Sequence, residues 1–155
     1  MKAYPTEKIR NLVLLGHGGT GKTSFAEAAL FAGGAISRLG RVDDGTTTSD
    51  FDPDEIKRKV SINASLLPIE WKDRKLNLID APGYADFIGD AYSGLAAADA
   101  ALIVVCAAAG VQVGTELAWR RVSAKSAFSR SRRLTRRARA QRRSLVMRQA
   151  SSVPT

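Results

Sequence analysis

The chain has one cysteine, no apolar run near the length of a membrane-spanning helix, and no acidic residue after position 120. The lone Cys106 excludes an internal disulfide and fits a reducing, cytoplasmic setting. A transmembrane helix needs about 18 or more consecutive apolar residues, so a soluble protein without a membrane partner is expected. The opening Met1 to Pro5 leads into mixed sequence and not into an apolar segment closed by small residues, so no signal peptide is evident. Within the acid-free stretch Phe128 is the only aromatic residue.

What is present fits one domain: 155 residues, of which 45% are apolar. The net charge of +9 would suggest a nucleic-acid binder if it were spread over the chain. It is not. Residues 1–120 hold 13 Lys and Arg against 15 Asp and Glu, a net of −2, and residues 121–155 hold the other 11 basic residues. The basicity therefore belongs to the tail.

Along residues 1–121, strand-like and helix-like segments alternate with glycine-rich turns, the pattern of an α/β fold with a mostly parallel sheet. Ile9 to Leu15 reads as a buried first strand and Thr23 to Phe31 as the helix after it. Arg38 to Lys59 is polar without a sustained period and is expected to be a long surface loop. Val60 to Ile69 and Lys75 to Ile79, separated by Glu70 to Arg74, read as an antiparallel hairpin with Trp71 at its turn. A helix is expected over Phe87 to Ala97. Ala100 to Ala107 has the composition of a strand covered on both faces, with Cys106 buried in it. A last helix begins near Val113, with Trp119 on its packing face. From Arg121 onward the Arg/Ser/Ala-rich sequence is expected to lie outside the core, either disordered or as a solitary helix over Arg132 to Gln149.

Gly16-His17-Gly18-Gly19-Thr20-Gly21-Lys22-Thr23 matches G-x-x-x-x-G-K-[ST], after a strand and opening a helix. Glycines let successive backbone N–H groups point inward at phosphate oxygens, and the helix N-terminus adds its positive dipole end. Lys22 would reach the β and γ phosphates, and the Thr23 hydroxyl would ligate Mg²⁺. His17 occupies a free position and is assigned nothing beyond its backbone N–H. A second motif, Asp80-Ala81-Pro82-Gly83-Tyr84, follows a strand. A carboxylate there stands at the mouth of the sheet, where Asp80 could hold Mg²⁺ through water and the Gly83 N–H could approach a γ-phosphate. Alone it reads better as an ordinary Asp-capped Pro-Gly turn; beside the phosphate loop it reads as the second half of one site.

These two motifs, together with Asp44-Gly45-Thr46-Thr47 and Arg58-Lys59-Val60-Ser61-Ile62, resemble the first half of a translational GTPase domain. Elongation factor G and its elongation-factor-G-like paralogues are the nearest likeness, over about residues 5–121. The resemblance implies a G-domain fold that binds GTP and Mg²⁺ and works with the ribosome in protein biosynthesis, in translocation or ribosome disassembly. It implies switch I over Arg38 to Ile62, with Ser61 where the family usually has a magnesium-ligating threonine. It also implies that switch II begins at Asp80 to Tyr84, with Tyr84 where most members have a water-positioning histidine. Lys22, Gly83 and Tyr84 would then be the catalytic residues. A phenol with a pKa near 10 is a poor base, but phosphoryl transfer depends chiefly on positioning. Binding of phosphate follows from the loop itself, whereas hydrolysis is implied only by the resemblance.

The Asn-Lys-x-Asp motif by which the family recognises guanine does not occur in the chain. The expectation is therefore a C-terminally truncated or frame-disrupted copy, a fragment whose strand at Ala100 to Ala107 is left as a sheet edge. Alternatives for residues 122–155 are a basic arm contacting RNA, without DNA, and an inert solvated tail. Deleting residues 122–155 separates these readings. Nucleotide turnover unchanged by the deletion favours the GTPase fragment, and RNA binding abolished by it favours the basic arm.

Overall fold

The computed structural model describes residues 2–128, with side chains described through residue 125. The chain divides into two units, residues 1–122 and residues 123–155, and the sheet and the site described below lie in the first. The expected solitary helix over Arg132 to Gln149 lies outside the described residues.

A four-stranded sheet forms the centre of the first unit, in the order β2-β3-β1-β4. Strand β1 (Ile9–Leu15) pairs in parallel with β3 (Arg74–Asp80) on one side and β4 (Ala100–Ile103) on the other, and β2 (Ser65–Trp71) pairs antiparallel with β3. Successive strand side chains face opposite ways, so β1 supplies both halves of the core. Val13 and Leu15 pack with Ile79, Ala81, Ala91, Leu95 and Ala98 under α3 (Ile88–Ala97). Leu14 packs on the other face with Ala26 and Leu30 of α1 (Lys22–Ala32) and with Leu67, Ile69 and Leu78. Val13 and Leu14 have no exposed surface at all. The result is a helix–sheet–helix sandwich, the mostly parallel α/β architecture expected from the sequence.

Several local expectations change. The stretch Arg38 to Lys59 is not a plain surface loop, because α2 (Pro53–Arg58) forms within it. Asp52 accepts from the Asp54 N–H, Glu55 reaches back to the Asp52 N–H, and Pro53 opens the helix, a capping box with proline at the first turn. Six residues are too few to show a helical apolar period, which is why the segment reads as loop. The hairpin turn is also tighter than Glu70 to Arg74. Pairing continues through Trp71 and Arg74, leaving Lys72 and Asp73 alone at the turn, both left-handed with φ 46° and 59°. Two left-handed central residues match the twist of the flanking strands. Its first strand starts at Ser65, five residues later than expected, since the Val60 N–H bonds back to the Glu55 carbonyl.

The remaining changes concern β4 and α4 (Val113–Phe128). Strand β4 stops at Ile103, opposite Leu15, because β1 ends there and turns away into the loop. It is half-buried and lies at the sheet edge among the described residues. Cys106 falls beyond it, half-buried, in an isolated bridge to Gly110. Backbone N–H groups of Ala109 and Ala108 hold its thiol pKa below the ordinary value. Helix α4 begins at Val113 as expected, yet Trp119 is 48% exposed, and it is Ala118 and Val122 that pack on the core.

At the end of α2, Lys59 takes the left-handed conformation (φ 55°) that a glycine usually supplies at this position. Lys59→Gly should therefore stabilise the chain by about 1 kcal/mol, read as a higher urea midpoint at unchanged slope. Lys59→Val, β-branched, should lower the midpoint.

Candidate phosphate-binding site

The register of β1 against β3 sets Leu14 opposite Asp80. The loop Gly16 to Gly21, which leaves the end of β1, and the acidic segment that leaves the end of β3 therefore emerge side by side at the carboxyl edge of the sheet. Helix α1 starts at Lys22 with no side-chain cap and no acidic residue in its first turn. Its free N–H groups and dipole are left for an outside anion. Lys22 is only 6% exposed. Its ammonium donates to the carbonyl oxygens of His17 (2.8 Å) and Gly16 (3.3 Å), and the Thr20 hydroxyl donates to the His17 carbonyl (2.9 Å). Burial pushes the Lys22 pKa down, against the pull of Asp80 and Asp50.

Asp80 is 1% exposed, and neither carboxylate oxygen has a hydrogen-bond partner among the described residues. Burial pushes its pKa from 3.8 up to about 6. The hydroxyls of Thr23 and Ser49 and the Lys22 ammonium offset part of that rise, though neither hydroxyl makes a bond of good geometry to the carboxylate. Beside it, the hydroxyls of Thr23 and Ser61 lie 3.1 Å apart, and Ser61 donates to Asp50 at 2.8 Å. Asp50 is itself buried and its pKa is raised, by burial first. Magnesium takes oxygen ligands, usually one or two carboxylates with phosphate oxygens and water making up the rest. Unpartnered buried carboxylate oxygens next to two converging hydroxyls fit such an ion.

Gly83 closes over this site. A Cβ there would stand 2.7 Å from both the Gly16 carbonyl oxygen and the Gly18 nitrogen and would meet the Lys22 ammonium, so only glycine allows the approach. The ring of Tyr84 lies directly against Gly18, where any side chain would collide with it. Tyr84 is 41% exposed, and the His17 ring is 6.1 Å from it, centroid to centroid.

Residues 7–127 match the elongation factor Tu GTP-binding domain family. The chain belongs to this family of translational GTPases. It is 44% identical over 115 residues to the elongation factor G-like protein of Mycobacterium tuberculosis, covering 74% of this chain and 16% of that one. It is 35% identical over 124 residues to the mitochondrial ribosome-releasing factor 2 of Debaryomyces hansenii, covering 80% and 14%. A crystal structure from Thermus thermophilus superimposes with a TM-score of 0.73 at 46% identity, over 75% of this chain and 18% of that one. The chain thus spans less than a fifth of the length of these relatives.

In this translational GTPase domain the sequence-derived residues largely come together. Gly16, Gly18, Lys22, Thr23, Ser61, Asp80 and Gly83 form one connected cluster of contacts, whereas Ala81 is wholly buried in the core and serves the sheet. His17 does more than present its N–H: its carbonyl holds Lys22 and Thr20, and its ring packs against Gly114 of α4 with Nδ1 buried and without a partner among the described residues. Sequence reasoning missed Asp50 and Ser49. Nothing in the run Asp50, Asp52, Asp54 singles out the one carboxylate that turns inward, since that choice is made by α2.

Asp80 has a stability consequence. With its native pKa above the unfolded value, the folded chain binds the proton more tightly, so ionisation costs nothing below the unfolded value and its full amount above about pH 6. Asp80→Asn should therefore stabilise the nucleotide-free chain at pH 7.5 by up to about 3 kcal/mol. The gain should shrink between about pH 6 and pH 4 and vanish below, as followed by urea unfolding across pH.

Proposed function

We propose that the chain binds GTP with Mg²⁺ at residues 16–23, 61 and 80–84, and that this site supports the reaction GTP + H₂O → GDP + phosphate. The observation that carries the proposal is the burial of an unpartnered Asp80 beside Lys22, Thr23 and Ser61 at the open edge of the sheet. On this reading the loop N–H groups and the α1 N-terminus hold the β-phosphate, and Lys22 exchanges its carbonyl contacts for phosphate oxygens. Thr23, Ser61 and Asp80 would hold the magnesium ion, which would supply positive charge to offset that of the phosphates. The Gly83 N–H faces the γ-phosphate, and Tyr84 orients the attacking water by position and not by basicity.

Relatives named as an elongation factor G-like protein and as a ribosome-releasing factor support a ribosomal setting, in translocation or disassembly. Their greater length supports the reading of this chain as a fragment of such a factor. Because Asn-Lys-x-Asp is absent from the sequence, binding should rest mainly on phosphate and magnesium and discriminate poorly between guanine and adenine.

Titration of fluorescent GTP and ATP analogues, with magnesium and with chelator, tests this. Binding should need magnesium, differ by less than about tenfold between the two bases, and fall by at least about tenfold in Lys22→Ala. Undiminished binding by Lys22→Ala, in a variant that melts like the parent, would remove the loop from the site.

A further inference from the structure

Glu55 is a charged side chain buried to 1% exposure in α2, outside the phosphate loop and outside both sequence motifs of the site. A buried carboxylate is costly unless it is hydrogen-bonded, and the partners of this one are informative. Oε1 accepts from the backbone N–H groups of Ile62 and Asn63, each at 2.9 Å, while Oε2 accepts from the Asp52 N–H at 3.3 Å. The backbone carbonyl of the same residue accepts from the N–H groups of Lys59 and Val60, the latter at 3.2 Å. Ser61 lies between Val60 and Ile62. One residue therefore grips the chain on both sides of Ser61, through its main chain before it and its side chain after it.

The grip has a geometric product. With Val60 and Ile62 fixed, the Ser61 hydroxyl stands 3.1 Å from Thr23 and donates to Asp50 at 2.8 Å. The turn it holds passes through left-handed Lys59, a conformation unfavourable to lysine that needs outside support to persist. Thr48, in the same segment, is anchored separately: Glu27 of α1, 2% exposed, accepts from its N–H and its hydroxyl at 3.0 and 2.9 Å.

We propose that Glu55 is a positioning residue for magnesium, a clasp that fixes the Ser61 hydroxyl toward Thr23 and so sets how much magnesium the GTP-bound site requires. The inference rests on the reading of Ser61 as a magnesium ligand. Partners that orient a metal ligand commonly change metal affinity by about tenfold or more when removed.

Three variants separate the clasp from mere burial. Glu55→Ala removes the acceptor. Glu55→Asp keeps the charge but is one methylene short of Ile62 and Asn63. Glu55→Gln keeps a carbonyl oxygen that can accept from both. In the nucleotide-free chain, amide exchange at Ile62 and Asn63 should accelerate by about tenfold or more in the Ala and Asp variants and stay within about threefold in Gln. The magnesium concentration for half-maximal retention of a fluorescent GTP analogue should rise about tenfold in Ala and Asp and return close to the parent in Gln. Binding of the GDP analogue in chelator should be unchanged.

Unaltered exchange in the Asp variant would overturn the clasp, as would faster exchange with no change in the magnesium requirement. If Ala does not fold, the Asp and Gln pair still decides. If the parent binds no nucleotide at all, the proposed function fails, and exchange at Ile62 and Asn63 judges the clasp by itself.

Discussion

Two carboxylates and one ammonium lie buried together at the carboxyl edge of the sheet, and the local structure is arranged around keeping them there. Asp80 is carried in by β3, Lys22 by the first turn of α1, and Asp50 by the segment before α2. None of the three forms an ion pair with another among the described residues. Burial raises both carboxylates and lowers the ammonium, so every group in the cluster is held against its solvation preference. Such an arrangement stores stability that an anion and a divalent cation could recover on binding.

The support for this cluster comes from rigid, ordinary elements. β1 is buried on both faces near its end, so its exit into the loop is fixed by packing, and the pairing of Leu14 with Asp80 fixes the second motif relative to the first. By contrast the segment over residues 38–62 has little apolar material of its own. It is tied down by buried acids: Glu27 reaches it from α1 and Glu55 from within. Polar anchoring of this kind is specific in geometry and easily released, because few apolar contacts must be broken with it. That suits the reading, implied by the resemblance to translational GTPases, of residues 38–62 as a segment that orders around a γ-phosphate and then lets go.

Tyr84 and Gly18 form a matched pair. The phenol ring lies on a loop position where a side chain would collide with it, so the bulk at 84 and its absence at 18 depend on each other. Only the three-dimensional contact reveals this, since 66 residues separate the two positions in sequence.

The phosphate loop, β1, α1, α3 and the start of α4 were all legible from glycine spacing and apolar runs, because each depends on its own residues. So was the partnership of Gly16 to Thr23 with Asp80 to Tyr84, since both follow strands of a parallel pair. What could not be read was set by neighbours. β4 stops at Ile103 only because β1 ends opposite it, and Trp119 faces outward because Ala118 and Val122 take the packing positions. Asp50 turns inward to accept from Ser61 and Asp52 caps a helix, although both are aspartates in the same polar run. The sequence by itself determined which chemistry is available, because backbone-lined phosphate loops need glycine at fixed spacings. Tertiary structure decided which carboxylates serve it, because burial and hydrogen-bond partners come from chain segments far apart in sequence.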